Sequence, residues 1–341
     1  MIFATWYQNF PVFRQYVTVA HLSERLGLIK VSSSSSAQLL QNLVTNDLRS
    51  FSKRKTVIFS TFLNGQGRIL FDTLIHVPLR TFAVAEENLF ALNPLSFNEF
   101  YLECQKDRIQ ELTSHLNKYS FKHKTNIEDC SSRIQVLSIF KSFKGIQIEK
   151  LINTKFVISA GVDPRHEGLG CRLLVERGSE SGFSVDFKFV SSKEYDKRSF
   201  CMICKTKLNR TPLKRYLLGI PEGPEFPSGK ALPLEFNVEQ LNGVSFQKGC
   251  YLGQELTARS KFVLDIRKRI FPIIIEPPLR ADMLPLEDSI IYDENVKVGK
   301  FIAGIDEAGI ALLRLSYAKS TALSMRGRGG AVYKIKLSLI S

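Results

Sequence analysis

Leu39, Leu40, Leu43 and Val44 lie on one stripe at helical spacing, directly behind a serine run at 32–36. The stripe predicts an amphipathic helix with Ser36 as its N-cap, ending near Thr45-Asn46-Asp47, residue types that favour caps and turns. Residues 56–63 are rich in β-branched and aromatic side chains, Asn64-Gly65-Gln66-Gly67 is a strong turn signal, and 68–77 alternates. Together these predict a β-hairpin. On its second strand Ile69, Phe71, Thr73 and Ile75 share one face, and Leu70, Asp72, Leu74 and His76 share the other. Asp72 is therefore an acid among leucines, either buried with a specific partner, the favoured reading, or placed on a solvated edge. Residues 97–116 carry Leu102, Ile109, Leu112 and Leu116 and read as one helix. Short strands follow at 133–140, 155–159 and 171–175, and the polar, basic stretch 191–211 reads as a loop. Pro221, Pro224, Pro227 and Pro233 make the next segment an ordered connection rather than a helix. From Arg267 onward, strand patterns at 270–275, 289–292, 297–302, 310–315 and 333–339 predict a small antiparallel barrel. The chain reads as an α+β body with an all-β end.

The length of 341 residues suits two to three domains of roughly 100–200 residues each. No apolar run approaches the ~18–20 residues of a membrane span, so membrane insertion is not expected. Lys and Arg exceed Asp and Glu by 47 to 33, a formal charge of +14 that favours anionic partners. Cys104, Cys130, Cys171, Cys201, Cys204 and Cys250 are scattered over a chain too long to need disulfide staples, which fits reduced thiols. Residues 1–23 contain no acid but carry Arg14 and several aromatics, a pattern that resembles an organelle transit peptide, expected over 1–20.

Phosphate-loop, zincin and dinucleotide fingerprints are absent. Cys201 and Cys204 have zinc-knuckle spacing, but no second pair completes four ligands. Lys53-Arg54-Lys55 and Arg267-Lys268-Arg269 are short basic clusters. Solvated faces are the default reading for them, with anion binding the sharper alternative.

The segment 246–255 carries the clearest chemistry. Gly249 and Gly253 bracket Cys250, and each permits a turn that other residues resist. A helix is expected directly after Gly253. Cys250 would then sit just ahead of a helix N-terminus with Lys248 two residues away, and both favour thiolate over thiol. The competing reading is a small buried hydrophobe in a tight turn.

Lys248-Gly249-Cys250-Tyr251, followed after one residue by Gly253-Gln254-Glu255, resembles the signature of the YgfZ-type proteins. These are relatives of the aminomethyltransferase (T-protein) of the glycine cleavage system, and their mitochondrial branch works in iron–sulfur cluster assembly. The resemblance extends from about residue 22 to 339. It takes in the helix-and-turn motif at 40–47, the hairpin at 63–72, Asp163-Pro164-Arg165 with Gly170-Cys171-Arg172, and the lead-in at 215–223 and 232–235.

The resemblance implies a T-protein-like body over 21–266, built of two interleaved α+β subdomains around a central tetrahydrofolate pocket, and a C-terminal barrel over 267–341. Asp72 and Glu222 would face the N–H edge of the pterin, where carboxylates pair well. Asn46, Arg68 and Glu235 complete the implied folate set. Cys250 would be a reactive thiol or a transient contact to an iron–sulfur cluster, tuned by Lys248. Gly249, Tyr251, Gly253, Gln254 and Glu255 would shape its loop. Iron–sulfur scaffold proteins and folate are the implied partners, and the mitochondrial matrix the implied location.

Two departures matter. Phe71 stands where T-proteins have the first of two hairpin acids, and T-proteins lack the cysteine motif. Both argue against aminomethyl or one-carbon transfer, which remains the alternative function. An RNA-modification accessory role, suggested by charge alone, ranks last, because nucleic-acid motifs are absent. Residues 198–212 look like an insertion between family motifs.

Overall fold

The computed structural model describes residues 17–83, 93–121, 124–140, 155–179, 187–190, 214–279, 289–327 and 331–338. The expected leader, the loop at 191–211 and the pair Cys201 and Cys204 lie outside most or all of these residues. The strands are β1 (Val17–His21), β2 (Leu26–Ser32), β3 (Val57–Leu63), β4 (Ile69–His76), β5 (Glu99–Gln105), β6 (Asn126–Asp129), β7 (Ile134–Phe140), β8 (Val157–Val162), β9 (Cys171–Glu176) and β10 (Phe187–Val190) in the body. The barrel holds β11 (Lys268–Glu276), β12 (Ile290–Asp293), β13 (Val296–Ile305), β14 (Ala308–Arg314), β15 (Leu323–Arg326) and β16 (Val332–Leu337). The main helices are α1 (Ser36–Leu43), α2 (Ile109–Ser120) and α3 (Gln254–Phe262).

Two five-stranded sheets, ordered β3-β4-β5-β2-β6 and β10-β1-β7-β9-β8, form the body, and β11-β14-β13-β12-β15-β16 closes the barrel. All described pairings are antiparallel except β1 with β10. Among the described residues no helix is long and apolar enough to cross a membrane.

The hairpin β3–β4 is the wall on which the molecule is built. Every residue of β3 is buried because both its faces are covered. Ile58 and Phe62 enter a core with Leu39, Leu40 and Leu43 of α1 and Leu112 and Leu116 of α2. Val57, Phe59 and Leu63 enter a second core, shared with Phe236 and with Ile270 and Ile310 of the barrel. Each such side chain contributes about 1.5–3 kcal/mol by leaving water. Body and barrel therefore meet through the far face of the hairpin.

Three expectations need correction. The single helix over 97–116 is instead strand β5 followed by α2. Phe100, Leu102 and Cys104 alternate, but Tyr101 and Glu103 are buried too, because β5 is a central strand covered on both faces. Period-two contrast disappears in such a strand. Ser36 is the first helical residue rather than the cap; Ser35 takes the cap position without a side-chain bond, and the Ser36 hydroxyl donates to the Ser33 carbonyl at 3.0 Å. The barrel gains β15, only four residues long and too short for a periodic signal.

Candidate functional site

The residues around Cys250 form a strap across the C-terminal end of α1. A helix ends with carbonyls that have no partner of their own. Lys248 supplies partners from the far end of the chain: its Nζ donates to the carbonyls of Gln41 at 2.7 Å, Val44 at 2.6 Å and Asn46 at 2.9 Å. The Leu252 N–H donates to the Asn42 carbonyl at 2.9 Å. A cation at this pole also suits the helix dipole. The Tyr251 ring, itself buried, lies 4.8 Å from the ammonium. Burial pushes Lys248 down to about 7, against the pull of the nearby Asp47 charge.

Cys250 sits between these two anchors and is exposed. Beyond it, the Gln254 N–H closes a turn onto the Tyr251 carbonyl at 3.2 Å, and α3 begins. Gly253 is left-handed, with φ 79°. A Cβ there would meet the Asn64 carbonyl oxygen at 2.4 Å and the Gly67 Cα at 3.1 Å. Gly67, with φ 74°, would in turn drive a Cβ to 2.8 Å from the Leu256 Cβ. The hairpin turn and the cysteine loop thus pack backbone against backbone, and two glycines make that approach possible.

On the opposite face of the hairpin lies a buried ionic cluster. Glu222 is ringed by four guanidinium groups: Arg25 and Arg165 at 2.9 Å, Arg172 at 3.4 Å and Arg215 at 3.7 Å. Arg165 also holds Asp163 through Nε at 3.0 Å and Nη2 at 2.7 Å. Arg172, fully buried, reaches Asp163 at 3.4 Å and Glu103 at 3.6 Å. Burial alone would raise Glu222, but Arg25, Arg165, Arg215 and Arg172 together hold its carboxyl well below the usual range. Asp72 accepts the Gly223 N–H on both oxygens at 3.1 Å. Burial first, and the neighbouring Glu222 charge second, push Asp72 up to about 6.

The barrel, residues 267–339, matches the family model described as CAF17, C-terminal beta-barrel domain. The chain superposes on the glycine cleavage system aminomethyltransferase T of Bartonella henselae with a TM-score of 0.66 at 12% identity, over 96% of this chain and 86% of that one. That likeness establishes the T-protein fold. Mouse iron-sulfur cluster assembly factor IBA57, mitochondrial, is 32% identical over 302 residues, covering 84% of this chain and 75% of the relative. The chain belongs to the IBA57 family of iron–sulfur cluster assembly factors. The Dictyostelium discoideum IBA57 homolog is 34% identical over 281 residues, and the match covers 79% of this chain and 64% of the length of that protein. Both names carry a mitochondrial location, which agrees with the location expected from the sequence.

Within this IBA57-family fold the expected site residues do not gather in one place. Lys248, Cys250, Tyr251 and Gly253 share the strap on α1. Lys248 is not the counter-charge of the thiol, because its three donors are spent on carbonyls. Gly249 is not a turn residue: it avoids the left-handed region, and a Cβ on it would meet open space. Glu255 is exposed on α3 and makes no side-chain hydrogen bond among the described residues.

The implied folate residues lie in several different surroundings. Glu222 is committed to arginines and Asp72 to Gly223. The space beside them is a cavity of about 10 Å³, close to what one water needs and far below the roughly 300–1,000 Å³ of a ligand pocket. Asn46 is structural: its Nδ2 donates to the Phe59 and Asn242 carbonyls, each at 2.7 Å, and its Oδ1 accepts from Asp47. Arg68 donates to the Lys230 carbonyl at 2.9 Å. Glu235 lines a separate cleft beside the barrel. Arg25 carried no sequence signal at all. Arg165, Arg172 and Arg215 stood inside the family motifs without an assigned role, and the Asp163–Arg165 spacing was the available hint of an ion pair.

Proposed function

We propose that this chain matures [4Fe–4S] proteins in the mitochondrial matrix by presenting Cys250 to an iron–sulfur scaffold or carrier protein. The observation that carries the reading is the exposed Cys250 thiol held between two fixed points, Lys248 and Leu252. A thiol that must reach a centre held by another protein needs access and a fixed direction. Among the described residues no three His, Cys, Asp or Glu side chains converge as metal ligands. An iron–sulfur cluster takes about four such ligands. The cluster is therefore cargo in this reading, and the partner supplies the remaining ligands.

The end of α3 offers a surface for that partner. Phe262 and Val263, at the end of α3, are 69% and 73% exposed. Phe246, ahead of Cys250 in the chain, packs edge-on against Phe262 with ring centroids 5.6 Å apart. Large apolar side chains left in water suit a docking face. Tetrahydrofolate has no step in this reading, and one-carbon transfer through Asp72 gains no support from a carboxylate already bound to Gly223.

The test is Cys250→Ser in cells depleted of the natural protein, with aconitase and lipoate-dependent activities as readouts. The expected result is loss of both activities at a normal level of the variant protein. Unchanged activity removes Cys250 from the mechanism.

A further inference from the structure

The basic triplet Arg267-Lys268-Arg269 has no part in the cysteine loop, and the structure divides it. Arg269 donates to the Leu234 carbonyl at 3.3 Å and so ties barrel to body. Lys268 turns instead to a cleft along the seam between them. Its direct cross-strand neighbour on β14 is Arg314. Like charges placed opposite each other on adjacent strands are destabilising. Neither side chain forms an ion pair among the described residues.

The cleft consists of two adjoining cavities, about 720 Å³ and about 380 Å³, that share Lys268, Arg314 and Glu235. Lys230, Lys297 and Lys300 add charge on the smaller one, and Arg267 on the larger. Glu235 and Asp265 are the only acids in the lining. Burial holds the Glu235 carboxyl above its ordinary value against the pull of Lys268 and Arg68. Phe236, Ile302 and Leu312 give the smaller cavity an apolar wall. A repelling cation pair in a cleft of ligand size, with both charged and apolar side chains in its lining, is the arrangement an amphipathic anion would relieve.

We propose that this cleft binds a small polyanion with an apolar portion, its anionic groups bridging Lys268 and Arg314 and its apolar part lying against Phe236, Ile302 and Leu312. Phosphate esters and oligocarboxylates share this chemistry. The site is independent of the Cys250 reading.

Calorimetric titration of the full chain with inorganic pyrophosphate, ATP and tetraglutamate tests it. The comparison is Lys268→Glu with Arg314→Glu against Lys106→Glu with Lys118→Glu, an equal change of charge on exposed lysines of the body. At least one probe is expected to bind, weakened about tenfold or more by the cleft pair and left within about twofold by the control pair. Tighter binding of ATP assigns phosphate esters, and tighter binding of tetraglutamate assigns oligocarboxylates. Lys268→Gln should weaken binding without lowering Tm, because it removes a repulsion. Absence of binding by all three probes, or equal weakening by both double variants, overturns the proposal.

Discussion

The Lys248 ammonium lies 2.6 Å from the Val44 carbonyl oxygen, across 204 residues of chain. This contact and its two companions make the cysteine loop an extension of α1. Replacing Lys248 by Met keeps the stem but leaves three carbonyls without their donor. The expected cost is on the order of 1–3 kcal/mol in denaturant unfolding. Faster hydrogen exchange at the Leu252 amide should accompany it, because the second anchor loses its neighbour. A variant as stable as the wild type, with the same Leu252 protection, would contradict the capping role.

The motif glycines are unequal. Gly253→Ala forces a left-handed alanine against the Asn64 carbonyl, and is expected to destabilise by about 1–3 kcal/mol. Gly249→Ala points into open space and should stay within about 0.5 kcal/mol. Urea unfolding of the two variants side by side decides the matter.

Asp72 makes a pH-dependent prediction. Its folded carboxyl sits at about 6, above its ordinary 3.8. Between those values the folded chain holds a proton that the unfolded chain releases. That contribution to stability is complete below the lower value and lost as pH rises through the upper one. Asp72→Asn, which keeps an acceptor for Gly223, is therefore expected to be more stable than the wild type at pH 7, on the order of 1 kcal/mol. The difference should vanish as pH falls toward the lower value. A less stable variant at pH 7 would show that the ionised carboxylate is needed.

Glu222 has the opposite sign. Its carboxyl and that of Asp163 are both held below their ordinary values of 4.5 and 3.8. Their contribution is present above those values and lost as pH falls through the lower, folded ones. Glu222→Gln leaves four arginines around a neutral group, and a cost of about 3–5 kcal/mol is expected at pH 7. The variant should also lose much of the acid limb of the wild-type stability profile.

Much of this architecture was legible from local pattern. The hairpin announces itself because its turn signal and both strands are contiguous, and the barrel because its turns recur at strand spacing. β5 was hidden by burial on both faces, which removes the alternation that marks a strand. The motif around Cys250 was legible as important, but the role of Lys248 was not. Charge next to a cysteine suggests a counter-ion, whereas the real acceptors lie at and just past the end of a helix some 200 residues away and leave no mark near the lysine. The partners of the two acids were hidden for a related reason. Asp72 and Glu222 stand at family positions, yet their surroundings are set by Arg25, Arg165, Arg172 and Arg215, drawn from three distant parts of the chain.

The most direct test of the central claim mixes the purified chain with a cluster-loaded mitochondrial iron–sulfur scaffold protein and follows co-elution and visible absorption together. With the wild type, the cluster chromophore is expected in the complex. With Cys250→Ser, a folded chain of unchanged Tm should elute without it. Full chromophore in the complex formed by the serine variant would contradict the account.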